Sequence, residues 1–131
     1  MANSTYLDNA LVNAMVGKTT FTAPANVYIG LSTTAPTTAG GNITEPVGNG
    51  YARVPVPGSS WNSASNGTAT NSAAITFPTA TGSWGTASHI VAWDSASSGN
   101  YLWSSAISGG QAVVANVTVV IPVGSASVSM S

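Results

Sequence analysis

Residues 74–107 read AITFPTATGSWGTASHIVAWDSASSGNYLWSSAI. The hydrophobic runs in this stretch are short, rich in β-branched and aromatic residues, and broken by Gly, Ser and Asn. Strands joined by tight turns have that texture, whereas a helix brings its apolar residues back at helical spacing. The spacing predicts strands over 74–78, 87–94 and 101–107. The last two are joined by the hairpin loop SASSGN, with Gly99 and Asn100 supplying left-handed backbone positions. Three of the four tryptophans, the single histidine and one of the three acidic residues lie in this stretch. Such a concentration of rare side chains resembles a site, but their spacing along the strands puts most of them in a core.

Working outward, NVYIGLST at 26–33 predicts a strand with Val27, Ile29 and Leu31 on one face and Gly30 on the other. YARVPV at 51–56 predicts another, at an edge or a bulge because Pro55 has no N–H to donate. Downstream, Gly109 and Gly110 predict a turn. A strand follows over 113–123 with Val117, Val119, Ile121 and Val123 on one face, and a terminal strand has Ala126, Val128 and Met130 alternating with serines. Two long polar segments, 34–50 and 57–73, are expected as loops of functional or interfacial kind, the second anchored by Trp61.

One helix is predicted, over 3–16. Asn3 or Ser4 caps it, Asp8 meets the positive end of the dipole, and Tyr6, Leu7, Ala10, Leu11, Ala14 and Met15 form an apolar stripe. Gly17 ends it in a left-handed conformation, with Lys18 just beyond. A helix this short needs its stripe packed on the sheet or on another subunit. The expected fold is a mainly β, antiparallel, jelly-roll-like β-sandwich with one short N-terminal α-helix. It forms a single domain over 1–131, with the helix in 1–18 and the sandwich in 19–131.

Composition narrows the function. Charged residues make up 4% of the chain, against about a quarter in ordinary soluble domains. With 44% hydrophobic residues and four tryptophans, the chain has the means to fold. No apolar run reaches the length of a membrane span, and the uncharged start of the chain predicts no secretory leader. With no cysteine, disulfides and thiolate metal sites are excluded. A basic groove for nucleic acid is not available, since Lys18 and Arg53 are the only cations. The net charge of −1 gives little self-repulsion and suits a protein packed among neighbours.

Catalytic arrangements fare poorly. His89 and Asp94 lie five positions apart on one predicted strand, an odd spacing that sends their side chains to opposite faces and disfavours a Ser-His-Asp triad. Asp94 is expected to accept hydrogen bonds in the turn that follows. Asp8, Glu45 and Asp94 show no convergence of the kind a glycosidase needs, and the single His and three scattered carboxylates spell no metal motif. Arg53, beside Tyr51, is expected to pair with Glu45 or Asp94, or to stand solvated at an edge. The sequons at Asn3, Asn42, Asn66 and Asn116 matter only in a secretory pathway. Trp93 and Trp103 read as core; Trp61 and Trp84, in polar or Gly-rich surroundings, read first as packing residues and second as contacts for a partner or a sugar.

Several runs carry a family likeness: FTAP at 21–24, LSTTAPT at 31–37, TEP at 44–46, GYARV at 50–54, AITFP at 74–78, SWGT at 83–86 and the histidine strand ending at Asp94. With the N-terminal helix they span nearly the whole chain. The chain resembles small virion proteins of tailed bacteriophages, usually identified as tail fibre or minor tail proteins; related small β-proteins decorate phage heads. The resemblance implies a non-enzymatic virion component without cofactors or catalytic residues. Its implied partners are other virion proteins, major capsid or tail, met by docking of a homo-oligomer with a trimer favoured. The surface residues expected to serve that docking are Tyr6, Leu7, Leu11 and Met15 on the helix, with Glu45, Arg53, Trp61 and Trp84 elsewhere. The alternative is a receptor-recognition module that binds a host surface glycan through Trp61 and Trp84.

Overall fold

The computed structural model describes residues 2–130. In chain order the elements are β1 (Ala2–Asn3), α1 (Thr5–Met15), β2 (Asn26–Ser32), β3 (Val54–Pro57), a 3-10 turn (Gly58–Ser60), β4 (Thr68–Thr70), β5 (Ile75–Thr76), β6 (Gly85–Trp93), β7 (Tyr101–Val113), β8 (Val120–Ile121) and β9 (Ser127–Ser129). The principal sheet is five-stranded and antiparallel, in the order β1-β7-β6-β2-β3, and two ribbons, β4-β9 and β5-β8, accompany it. Residues paired across strands share a face, so Ile29, Ala92 and Trp103 line one side of the sheet. Ile75, Phe77, Val119 and Ile121, from the β5-β8 region, join them in one core cluster. This is the mainly β architecture with one helix that the periodicity predicts.

Ser4 makes the junction between β1 and α1. Its N–H donates to the carbonyl of Leu102 (2.8 Å), extending the β1-β7 pairing, while its hydroxyl accepts from Leu7 N–H (3.0 Å) as the helix cap. The helix stops at a left-handed Gly17 (φ 76°). There the N–H of Lys18 returns to the carbonyl of Asn13 and that of Gly17 to Ala14, the reciprocal pattern of a Schellman cap.

The β3 edge carries a device against strand addition. Pro55 is paired with Tyr28 and Pro57 with Asn26. A proline cannot donate, so these pairs are the non-hydrogen-bonded ones, and Val54 and Val56 bond to β2 instead. The prolines therefore occupy the positions whose N–H would face outward, and this edge offers no donor there to another chain.

Several sequence expectations need correction. The strand expected over 51–56 begins only at Val54, because the Tyr51 hydroxyl, rather than a backbone carbonyl, takes the N–H of Leu31 (2.9 Å). The strand expected over 74–78 is reduced to Ile75–Thr76. Segment 57–73 contains β4, which pairs with β9 after a tight turn through left-handed Asn66 and Gly67. Gly109 and Gly110 do not end a strand. With Ala106 paired to His89 and Gln111 to Ala87, residues 107–110 bulge out of β7 opposite Ser88, and both glycines have positive φ (76° and 72°). The strand expected over 113–123 is broken at Asn116 (φ 71°), leaving Val120–Ile121 as β8. Val119 and Ile121 are buried as expected, but Val123 is exposed because the chain turns at Pro122. In the β6-β7 hairpin the left-handed residues are Ser98 and Gly99 rather than Gly99 and Asn100. Asn100 is the clasp: its backbone and side-chain N–H groups donate to the two carboxylate oxygens of Asp94 (2.7 and 2.8 Å).

Candidate functional site

The chain has two basic and three acidic side chains, and the fold brings two of the five together. Glu45, from the long 34–50 loop, meets Arg53 just ahead of β3. Arg53 Nη2 donates to Glu45 Oε2 at 2.6 Å, and Nε spans both carboxylate oxygens at 3.1 and 3.2 Å. Arg53 Nη1 donates to the carbonyls of Ser95 and Ser98, both at 2.9 Å, so the guanidinium also fixes the β6-β7 hairpin loop. Its carbon atom Cζ lies 4.0 Å from the ring centre of Trp93. The side chains are 8% and 19% exposed for Arg53 and Glu45. Of the two partners expected for Arg53, Glu45 is the one engaged; Asp94 is occupied by Asn100.

Tyr51 completes the cluster. Its hydroxyl donates to Glu45 Oε1 (2.6 Å) while accepting from Leu31 N–H. Burial, reinforced by the adjacent carboxylate, pushes its phenol well above the ordinary tyrosine range. Gly30 provides the floor: a Cβ there would stand 2.6 Å from both Glu45 Oε1 and the Tyr51 hydroxyl. A carboxylate accepts about four hydrogen bonds, and those of Glu45 are taken by Tyr51 and Arg53. The cluster is a staple joining two loops to the sheet, with little bonding capacity left for a ligand.

The remaining titratable groups stay apart. His89 Nδ1 shares a hydrogen bond with the Ser88 hydroxyl (2.8 Å), and Asp94 closes its hairpin. No group of three metal-ligating side chains forms among the described residues.

Two of the four tryptophans were the sequence's candidates for outside contact. Trp84 is 5% exposed; its indole N–H donates to the Asn49 carbonyl (2.8 Å), and its ring meets Tyr51 and Phe77 edge-on. Trp61 is half-buried and meets Trp103 edge-on at 6.0 Å. Packing is the role the structure gives both rings, and Trp84 has no face free for a sugar or a partner.

The helix divides its apolar residues between two surroundings. Leu7 is buried, and Leu11 is half-buried in a groove that it lines with Ala69, Val128 and Met130. On the outward side Tyr6, Val12, Met15 and Val16 are exposed, Met15 at 75% and Val16 at 67%. Val12 and Val16 were not among the residues expected at a surface. They stand four apart, the spacing that puts two side chains on one helix face, and that was the signal available in the sequence.

With this geometry in place, comparison with known families is decisive. The family model described as podophage GP4 fiber I protein gp80 matches residues 2–129. The chain belongs to this family. No curated protein matches the chain significantly. Family membership makes it a structural protein of the podophage fibre and gives it a virion location.

Proposed function

We propose that the chain is a non-enzymatic fibre component that docks onto other virion proteins through the outward face of α1. The observation that carries this reading is the exposure of Val12, Met15 and Val16 on a helix fastened at both ends. An apolar surface held rigid before contact loses little conformational freedom on binding, so more of the burial energy appears as affinity. The reading includes several copies in a cyclic arrangement, a trimer ahead of a dimer, because closed symmetry is the common form of assemblies of identical chains. Recognition of a host glycan is the less supported reading, since Trp84 is buried and Trp61 packs on Trp103.

The test is Met15→Asp combined with Val16→Asp. Both side chains point to solvent, so the far-ultraviolet circular dichroism of the isolated chain should be unchanged while incorporation into particles falls at least tenfold. Incorporation at the wild-type level would overturn the docking role of α1. Leu7→Asp is unsuited to this purpose because Leu7 belongs to the core.

A further inference from the structure

Asparagine followed by glycine occurs twice in the chain, at Asn49-Gly50 and at Asn66-Gly67. Glycine has no side chain to crowd its nitrogen, so the preceding carboxamide reaches that nitrogen more readily than with a bulkier neighbour. All four residues are exposed and left-handed, with φ of 53°, 80°, 52° and 76° in chain order. Sequence and backbone class therefore do not distinguish the two sites; their bonds do.

Asn49 is held from both ends. Its side-chain amide donates to the Ser83 carbonyl (3.1 Å), and its main-chain carbonyl accepts from Trp84 Nε1 (2.8 Å) and Thr81 N–H (3.0 Å). Its Cγ lies so close to Gly82 that a Cβ there would stand 2.7 Å away, and a Cβ at Gly50 would come 3.3 Å from the Thr79 carbonyl. Asn66 has the opposite surroundings. Its turn is closed by reciprocal hydrogen bonds between Ser65 and Thr68 (2.9 and 3.1 Å). Among the described residues no hydrogen bond holds the Asn66 side chain, the Asn66 carbonyl or the Gly67 N–H. Nothing lies within 4 Å of the place a Gly67 Cβ would take. The central peptide of this turn is thus free to rotate, while the bonds on either side keep the turn closed.

We propose that Asn66 is a site of spontaneous deamidation and that the fold protects Asn49 from the same reaction. Solvent hydroxide takes the proton of Gly67 N–H, and the nitrogen attacks Asn66 Cγ. An N–Cγ bond forms, the Cγ–Nδ2 bond breaks, and ammonia leaves with a proton from water, which restores the hydroxide. Water then adds to either carbonyl of the succinimide and opens it to aspartate or isoaspartate. Closing the same ring at Asn49 first requires release of its bonds to Ser83, Trp84 and Thr81. Either product adds one negative charge to a chain whose net charge is −1. Isoaspartate also lengthens the main chain inside the turn whose Gly67 carbonyl accepts from Met130 N–H (3.0 Å), beside the groove that Leu7 and Leu11 line. The reaction stands independently of the docking assigned to α1.

Lys18 and Arg53, the only basic residues, make the test direct: trypsin delivers Asn49 in fragment 19–53 and Asn66 in fragment 54–131. The chain is aged at mildly alkaline pH, folded or in denaturant, then digested and weighed. Exchange of an amide for an acid raises the mass by about 1 Da. The inference requires that gain to accumulate several-fold faster in 54–131 than in 19–53 when the chain is folded, and at similar rates in denaturant. It also requires the folded-state gain in 54–131 to be largely lost in Asn66→Gly, a variant that keeps the left-handed turn accessible. Equal rates in the folded chain, a difference that persists in denaturant, or a gain undiminished in Asn66→Gly would overturn it.

Discussion

Gly30 carries no side chain where Glu45 Oε1 and the Tyr51 hydroxyl already fill the space. A small set of such residues decides whether the 34–50 loop stays on the sheet. Glu45→Gln removes the counter-charge and leaves a guanidinium that is 8% exposed without an anionic partner, held by the Ser95 and Ser98 carbonyls and the Trp93 ring. Losing one partner of a largely buried pair costs roughly 3–5 kcal/mol, and the partial exposure of Glu45 sets the expectation at the lower end. Chemical denaturation should show that loss as a lower midpoint with an unchanged slope, and a midpoint equal to wild type would refute the staple. Tyr51 makes a further prediction. Its phenol is held neutral in the fold, whereas the unfolded phenol ionises near pH 10, so its contribution is complete below about pH 10. Above that pH the unfolded state gains by releasing its proton, and stability falls. The stability of wild type should therefore decline more steeply with rising pH than that of Tyr51→Phe; parallel curves would contradict the assignment. Much of this was legible in advance only as a possible pair between Arg53 and Glu45. The parts played by Tyr51 and Gly30 depend on loop geometry that no local spacing encodes. Asparagine had a similar history: Asn42, Asn66 and Asn116, noticed as sequons, all hold left-handed turn positions.

Among the elements, those with a strong local signal were read well. The helix came from its cap, its stripe and Gly17, and β2 from strict alternation ending in the fully buried Ile29 and Leu31. Pro55 restricted β3 to an edge or a bulge, and the sheet order makes it an edge. Elements whose pairing partner is remote in sequence were misjudged. β4 is three residues of Thr and Ala that become a strand only because β9 arrives from the other end of the chain. The valine run after β7 satisfies strand alternation, yet it is cut by a turn at Asn116 and paired for just two residues with β5. In β7 the double glycine was read as a turn, whereas the strand runs through it with a bulge. What could not be read is that the strand resumes afterwards against the same neighbour, because that depends on the length of β6.

For the whole molecule, low charge was the most informative quantity in the sequence. With so few ions, the fold uses one pair to staple its loops and leaves apolar side chains exposed, among them Val12, Met15 and Val16 at the helix and Val47 in the 34–50 loop. The podophage fibre family to which the chain belongs thus includes a member with few ions and several exposed apolar side chains. The central claim is that α1 is the docking element, and imaging purified particles at side-chain resolution tests it most directly. The account predicts Val12, Met15 and Val16 in contact with another virion protein. If that face of the helix is open to solvent in every copy, the claim is contradicted.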